Sequence, residues 1–159
     1  MIERTLVLVK PDGVQRSLTG TVISKFENAG LKIVGMRMVW VNKSLSKKHY
    51  SDHIGKPFFP GLDEFIRSGP VLAMVLEGVE AIKNVRRIVG STAPSEATPG
   101  TIRGDYAHHS YAYADRAGKS IANIIHASGD AKDAKKEVSL WFDKKELHSY
   151  KRADEHIVF

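Results

Sequence analysis

Six consecutive apolar residues, Val71-Leu72-Ala73-Met74-Val75-Leu76, constrain this chain more than any other stretch. A strand with one solvated face alternates apolar and polar residues, so a run with no polar position belongs inside a sheet covered on both faces. The run is far shorter than the ~18 residues that cross a bilayer. Around it, strand and helix patterns alternate. Thr5-Leu6-Val7-Leu8-Val9 reads as a buried strand ended by a turn at Lys10-Pro11-Asp12-Gly13. Thr19 or Thr21 caps a helix that carries Val22, Ile23, Phe26 and Ala29 on one face and stops at Gly30. Leu31 to Val41 is a long strand of imperfect alternation, with Lys32 and Arg37 facing solvent. Ser44 or Ser46 caps a short helix, Gly55-Lys56-Pro57 breaks it, and Leu62, Phe65 and Ile66 mark another. Ala81, Ile82, Val85 and Val89 lie at helical spacing before Gly90. Ser91 to Arg103 is a long loop rich in turn formers, and Tyr106 to Ala122 continues as a surface excursion. A short strand at Ile124 and a helix with Ala134, Val138 and Trp141 complete the order. The alternation predicts an α/β sandwich with a ferredoxin-like core, in which helices cover a sheet.

The 159 residues suit one domain that folds without staples, and the absence of cysteine removes disulfides, thiol catalysis and cysteine-based zinc sites. The N-terminal residues lead straight into a strand and lack the apolar region of a signal peptide, so a cytoplasmic protein with no membrane segment is expected. Lysine and arginine outnumber aspartate and glutamate 24 to 18, a net charge of +6 that favours an anionic partner. The excess near the C-terminus, at Lys132, Lys135, Lys136, Lys144, Lys145, Lys151 and Arg152, is interspersed with acids, as on a solvated face.

The chemistry points to Asn123-Ile124-Ile125-His126-Ala127-Ser128-Gly129-Asp130, where turn and capping residues follow β-branched ones, so that His126 stands at a strand's end. Glu137 lies on the following helix, and a histidine with a carboxylate behind it can serve as a nucleophile held by its orienter. A lone histidine more often closes a core. Lys10, Arg86, Arg87 and Arg103 would change that reading if they converged on His126, because guanidinium groups bind phosphate oxygens bidentately and lysine adds a compact charge. Imidazole, with a reference pKa of about 6.5, is mostly neutral and nucleophilic near pH 7.

Several ordered blocks together resemble the nucleoside diphosphate kinases: Lys10-Pro11-Asp12-Gly13-Val14-Gln15-Arg16, Tyr50, Pro57-Phe58-Phe59, Ser68-Gly69-Pro70, Pro99-Gly100-Thr101-Ile102-Arg103-Gly104-Asp105, Asn123-Ile124-Ile125-His126, and Glu137 followed by Leu140-Trp141-Phe142. The resemblance covers nearly the whole chain. It implies a single domain over residues 1–159 on a four-stranded antiparallel sheet. It also implies a ping-pong transfer of the terminal phosphate of a nucleoside triphosphate such as ATP to a nucleoside diphosphate, through a phosphohistidine at His126.

Carried over by position, Lys10 contacts the sugar hydroxyl and the transferred phosphate, and Tyr50 lines the pocket near the histidine. Phe58 and Leu62 pack on the base and the nucleotide's outer face. Arg86 and Thr92 hold the inner phosphates, Arg103 the outer ones, and Asn123 the sugar 3′ hydroxyl. Ser128 and Glu137 form a hydrogen-bonded chain behind the imidazole, while Arg87 has no assigned role and faces solvent. Mg²⁺ arrives on the nucleotide phosphates with no protein ligands of its own. A homo-oligomer is implied, a hexamer ahead of a tetramer.

Two departures stand out. Gly129 replaces the family's usual aspartate, so the turn after His126 is where geometry should differ most. An inserted loop around 106–121 makes the chain longer than the common pattern before Asn123, and its His108, His109 and tyrosines suit a subunit contact better than a metal. Two alternatives compete. A basic nucleic-acid binder lacks a glycine- and aromatic-rich recognition strand, and nucleic acid is not expected as the main partner. A hydrolase built on Ser128 and His126 lacks a nucleophile elbow.

Overall fold

The computed structural model describes residues 1–158, and residue 159 lies outside the described residues. Its sheet has the order β2-β3-β1-β4, formed by β1 (Ile2–Val9), β2 (Lys32–Trp40), β3 (Pro70–Val79) and β4 (Ile125–Ala127). Every neighbouring pair is antiparallel. The apolar run is the middle of β3, held between β1 and β2 and buried throughout. Because side chains alternate across a strand, Leu72, Met74 and Leu76 join one core, and Val71, Ala73 and Val75 join the other.

The connecting helices are α1 (Pro11–Gln15), α2 (Thr19–Asn28), α3 (Lys43–His49), α4 (Phe59–Ile66) and α5 (Ala81–Val89). They are followed by α6 (Ile102–Tyr106), α7 (Tyr111–Arg116), α8 (Ala131–Trp141) and α9 (Glu155–Val158). Val22 and Phe26 of α2 and Ala81, Val85 and Val89 of α5 fill the first core. Ile66 of α4 and Trp141 of α8 fill the second. The architecture is the expected ferredoxin-like sandwich, a four-stranded antiparallel sheet covered by helices.

Local expectations fail where neighbouring segments supply what sequence alone does not show. Lys10 to Gly13 is no simple turn, because Pro11 at the first helical position, where no N–H is needed, opens α1. Leu18, not Thr19 or Thr21, occupies the N-cap of α2, and its cap carries no side-chain hydrogen bond. Asn42, not Ser44 or Ser46, caps α3 by accepting from the Leu45 N–H at 2.9 Å. Lys32 is buried, because it stands opposite Glu77 and beneath the C-terminal segment, meeting Glu77 and Glu155 at 3.0 and 2.6 Å. Arg37 is half-buried over the Phe142 ring and pairs with Glu146 at 2.9 Å. The imperfect alternation of β2 has a structural cause in a register shift between Ile33 and Gly35, which turns Ile33 toward one core and Val34 toward the other.

Gly35 also lets the C-terminal segment approach. A Cβ there would lie 2.9 Å from Leu147 Cδ2 and 3.1 Å from the Glu146 carbonyl oxygen. Gly35→Ala is expected to cost about 1–3 kcal/mol through overpacking, seen as a lower urea midpoint at unchanged m.

Candidate active site

β4 lies at the sheet edge against β1, with His126 opposite Leu8. The chain enters β4 through a tight reversal. Ile124 has φ +70°, and the Ile125 N–H donates to the Asn123 carbonyl at 2.7 Å, closing a γ-turn of the strained hand. A β-branched residue at positive φ costs about 1–3 kcal/mol and persists only where neighbours hold it. Here they do. Asp12 Oδ2 accepts the Ile124 N–H at 2.9 Å, and the Lys10 N–H donates to the Ile124 carbonyl at 2.7 Å. At the other end of β4, Asp130 caps α8 by accepting from the Asp133 N–H at 2.8 Å, which fixes where Glu137 stands.

His126 Nε2 lies 3.0 and 3.1 Å from the two Glu137 oxygens, and Ser128 Oγ donates to Glu137 Oε2 at 2.6 Å. The buried Ser128 hydroxyl also accepts from the Leu6 N–H at 3.2 Å, so it has no free role as a nucleophile, and the hydrolase alternative loses its serine. Burial pushes the Glu137 carboxyl up, but the hydrogen bonds from His126 and Ser128 outweigh it, and its pKa lies below the ordinary range. An ionised carboxylate only accepts, so Nε2 of His126 carries the proton and Nδ1 keeps the lone pair. Gly129 leaves this chain intact. A Cβ at that position would come 2.7 Å from Asp133 Oδ2, the end of a flexible side chain.

The cationic groups converge as the motif spacing alone did not reveal. Lys10 Nζ donates to Asn123 Oδ1 at 2.7 Å, and Asn123 Nδ2 donates to the Thr92 carbonyl at 2.8 Å. Arg103, expected in a loop, lies buried in α6 and donates to the carbonyls of Asn123, Gly90 and Ile125 at 3.2, 3.1 and 2.6 Å. A guanidinium has five N–H groups, so two remain for a ligand. Burial and the nearby Arg103 lower the Lys10 pKa from 10.5 to about 8. Burial and Arg86 lower that of Arg103 to about 10. Two cations held together out of water form a site short of negative charge.

These groups open on one cleft of about 930 Å³, which also reaches Tyr50, Phe58, Leu62, Arg86 and Thr92. Arg87 is exposed and outside it, as expected. The segment taken as a surface loop contains α7, and its residues line the cleft. His109 spends Nδ1 on the Ala122 N–H at 3.3 Å and stacks edge-on to Tyr113.

Sequence reasoning missed two residues. Asp12 holds the γ-turn, a role no spacing rule signals. His49, at the end of α3 beside Tyr50, packs its ring edge-to-face against His126 at 4.6 Å between centroids. Trp141 Nε1 donates to its Nδ1 at 3.2 Å, and burial, reinforced by His126, lowers its pKa to about 3. It is therefore a neutral wall. His49, His126 and Glu137 are the only group with cation-binding spacing found among the described residues, but the Glu137 carboxylate is spent on His126 and Ser128, and His49 Nδ1 on the Trp141 Nε1–H.

A family model described as nucleoside diphosphate kinase matches residues 3–147. The nucleoside diphosphate kinase of Pyrococcus furiosus is 48% identical over 152 residues, 96% of this chain and 90% of that protein. That of Archaeoglobus fulgidus is 47% identical over 159 residues, 99% of this chain and 98% of that one. Among solved structures, a transition-state mimic of the Borrelia burgdorferi enzyme with bound vanadate and ADP superposes with a TM-score of 0.94 at 46% identity, covering 97% and 95% of the two chains. The Halobacterium salinarum enzyme in complex with CDP gives 0.88 at 42%, covering 100% and 99%.

The Lys10 shift has a measurable sign. Its folded pKa of about 8 lies below the ordinary 10.5, so between these values the unfolded chain binds more protons. The cost of burying the charge is present in full below pH 8 and relieved as pH rises toward 10.5. Without nucleotide, stability against urea is expected to rise across this window by on the order of 3 kcal/mol, and Lys10→Met should flatten the rise.

Proposed function

The chain belongs to the nucleoside diphosphate kinase family, a family of phosphotransferases, and from that premise we propose that His126 carries the phosphoryl group between two half-reactions. The carrying observation is the bond from His126 Nε2 to Glu137, which leaves the Nδ1 lone pair for a phosphorus atom. In the first half-reaction Nδ1 attacks the terminal phosphorus of a nucleoside triphosphate such as ATP. The bond to the bridging oxygen breaks, and the nucleoside diphosphate leaves. In the second, a terminal oxygen of another diphosphate attacks the phosphohistidine and returns Nδ1 its electron pair. The Nε2 proton stays throughout, and the Glu137 carboxylate, steadied by Ser128, offsets the positive charge that develops on the ring.

Lys10 and the two spare N–H groups of Arg103 take the transferred phosphate and Arg86 and Thr92 the inner ones, since phosphoryl transfer is catalysed mainly by positioning and charge. Asn123 takes the sugar 3′ hydroxyl, Tyr50 closes the pocket beside His126, and Phe58 and Leu62 hold the base. The donor set suits a nucleotide-borne Mg²⁺. Glu137 is spent on His126 and Ser128, and Asp12 Oδ2 on the Ile124 N–H, while Lys10, Arg86 and Arg103 repel a free cation. Mg²⁺ would neutralise phosphate charge, and the protein would meet it only through the phosphates.

We read all 159 residues as one such domain, inserted around 106–121 and working in the cytoplasm; among the described residues no helix is long and apolar enough to cross a membrane. Self-association, which we read as a hexamer ahead of a tetramer, draws support for a subunit contact, though not for its number, from Met36, Met38 and Trp40. These alternate positions on edge strand β2 are 52, 59 and 69% exposed, an apolar stripe of the kind that a partner covers.

Incubation with terminally labelled ATP should leave acid-labile label on the isolated protein, and unlabelled GDP should remove it as GTP. Label acquired and passed on by His126→Ala would refute the assigned nucleophile. Glu137→Gln should lower kcat by roughly tenfold to a hundredfold, each tenfold being about 1.4 kcal/mol of barrier. Trp40→Glu should reduce the sedimentation coefficient, whereas an unchanged value would remove the stripe from the subunit contact.

A further inference from the structure

Arg103 stands on α6, a helix of little more than one turn that is too short to hold itself in water. What keeps it in place comes from outside. Thr101 caps it by accepting from the Gly104 N–H at 3.1 Å. One residue earlier, a single ion pair claims both polar backbone groups of Gly100. The Gly100 N–H donates to Asp105 Oδ1 at 2.7 Å, and the Gly100 carbonyl accepts from Lys25 Nζ at 2.8 Å. Lys25 Nζ and Asp105 Oδ2 close the ring at 2.5 Å. Gly100 has φ +92°, a backbone shape that glycine permits without enforcing, so the bonds around it decide how the loop enters α6.

Lys25 lies in the last turn of α2, whose Val22 and Phe26 are buried in the first core, so its stem starts from a fixed element. Tyr106 packs against the same core and offers its ring to the ammonium, with Nζ 5.4 Å from the centroid. The bond from Lys25, and after it the Gly100 N–H, holds the Asp105 carboxyl below its ordinary pKa. The two side chains are still 23 and 29% exposed, and an ion pair so placed adds little to stability. Its effect is on geometry. Arg103 lies between Thr101 and Asp105, the two points at which α6 is held, and from there its guanidinium reaches the carbonyls of Gly90, Asn123 and Ile125.

We propose that Lys25 is a positioning residue for phosphoryl transfer: by clamping the Gly100 loop to Asp105 it fixes α6, and so aims the two spare N–H groups of Arg103 at the terminal phosphate. The inference rests on the phosphohistidine reading above, in which Arg103 takes the transferred phosphate. Lys25 itself lies outside the cleft lining and acts only through Arg103. Arg86 stands on α5 and Thr92 beyond it, so a shift of α6 disturbs the outer phosphate before the inner ones.

The test uses the full chain and Lys25→Met, which keeps an apolar stem over Tyr106 and removes the charge. Label uptake from terminally labelled ATP should slow about tenfold, the scale of a misplaced positioning group. By calorimetry, affinity for the β,γ-imido analogue of ATP should fall while affinity for ADP holds. Lys25→Arg, which can donate to both oxygens, should restore uptake. Arg4→Met, which removes an ion pair with Glu77 at the other end of β1 from Lys10, should leave uptake unchanged. Uptake at the wild-type rate by Lys25→Met, equal weakening of ADP and the analogue, or equal slowing by Arg4→Met would each overturn the assignment, the last two because general loosening produces them. Should Lys25→Met not fold, Asp105→Asn, which keeps an acceptor for the Gly100 N–H and loses the charge, is read by the same measures. If the wild-type protein takes no label from ATP, the phosphohistidine reading fails, and the aiming of Arg103 is decided by the analogue and ADP affinities alone.

Discussion

The site depends on where the negative charge of Glu137 is spent. Two donors, the His126 ring and the Ser128 hydroxyl, claim the carboxylate, and Ser128 is itself anchored to the backbone of β1. The ring thus inherits the rigidity of the sheet through a chain of hydrogen bonds. An acid buried without those donors would take up a proton, and the imidazole would lose both its tautomer and its orientation. Trp141 adds a second restraint through His49, so the His126 ring is held from the carboxylate side and from its face.

The opposite half of the site works by excess of positive charge. Lys10 and Arg103 are out of water, close to one another, and bonded mainly to carbonyl oxygens and to Asn123. Neutral acceptors satisfy their geometry without cancelling their charge. An anion placed beside them would relieve a cost that folding created, so a preference for anions would follow from the main chain as much as from the cations. Arg103 links the turns at Gly90 and Asn123 and also lines the cleft, so one side chain both braces the backbone and carries charge to the site.

The sandwich was legible in the sequence because both faces of β3 are apolar, and burial on two sides leaves a pattern that needs no partner to be read. That residues from Lys10 to Glu137 would gather around His126 was legible through their ordered blocks. Less could be read where one segment answers another. Lys32 looked solvated until Glu77 and the C-terminal segment came to it, and Arg103 looked like loop until its carbonyl partners were in place. His49 gives no periodic signal, and the inserted residues hide a helix because its apolar contribution to the core is chiefly Ala114.

The γ-turn at Ile124 bears on how this fold tolerates variation in length. β4 pairs with β1 over only three residues, and a slip of one position would send His126 to the opposite face of the sheet. Asp12 and Lys10 grip the reversed backbone immediately before that pairing begins, so they act as a register stop. Chain added upstream is taken up before the stop and transmits no displacement past it. The loop before β4 can thus lengthen, acquire a helix and rebuild one wall of the cleft while His126 keeps its address.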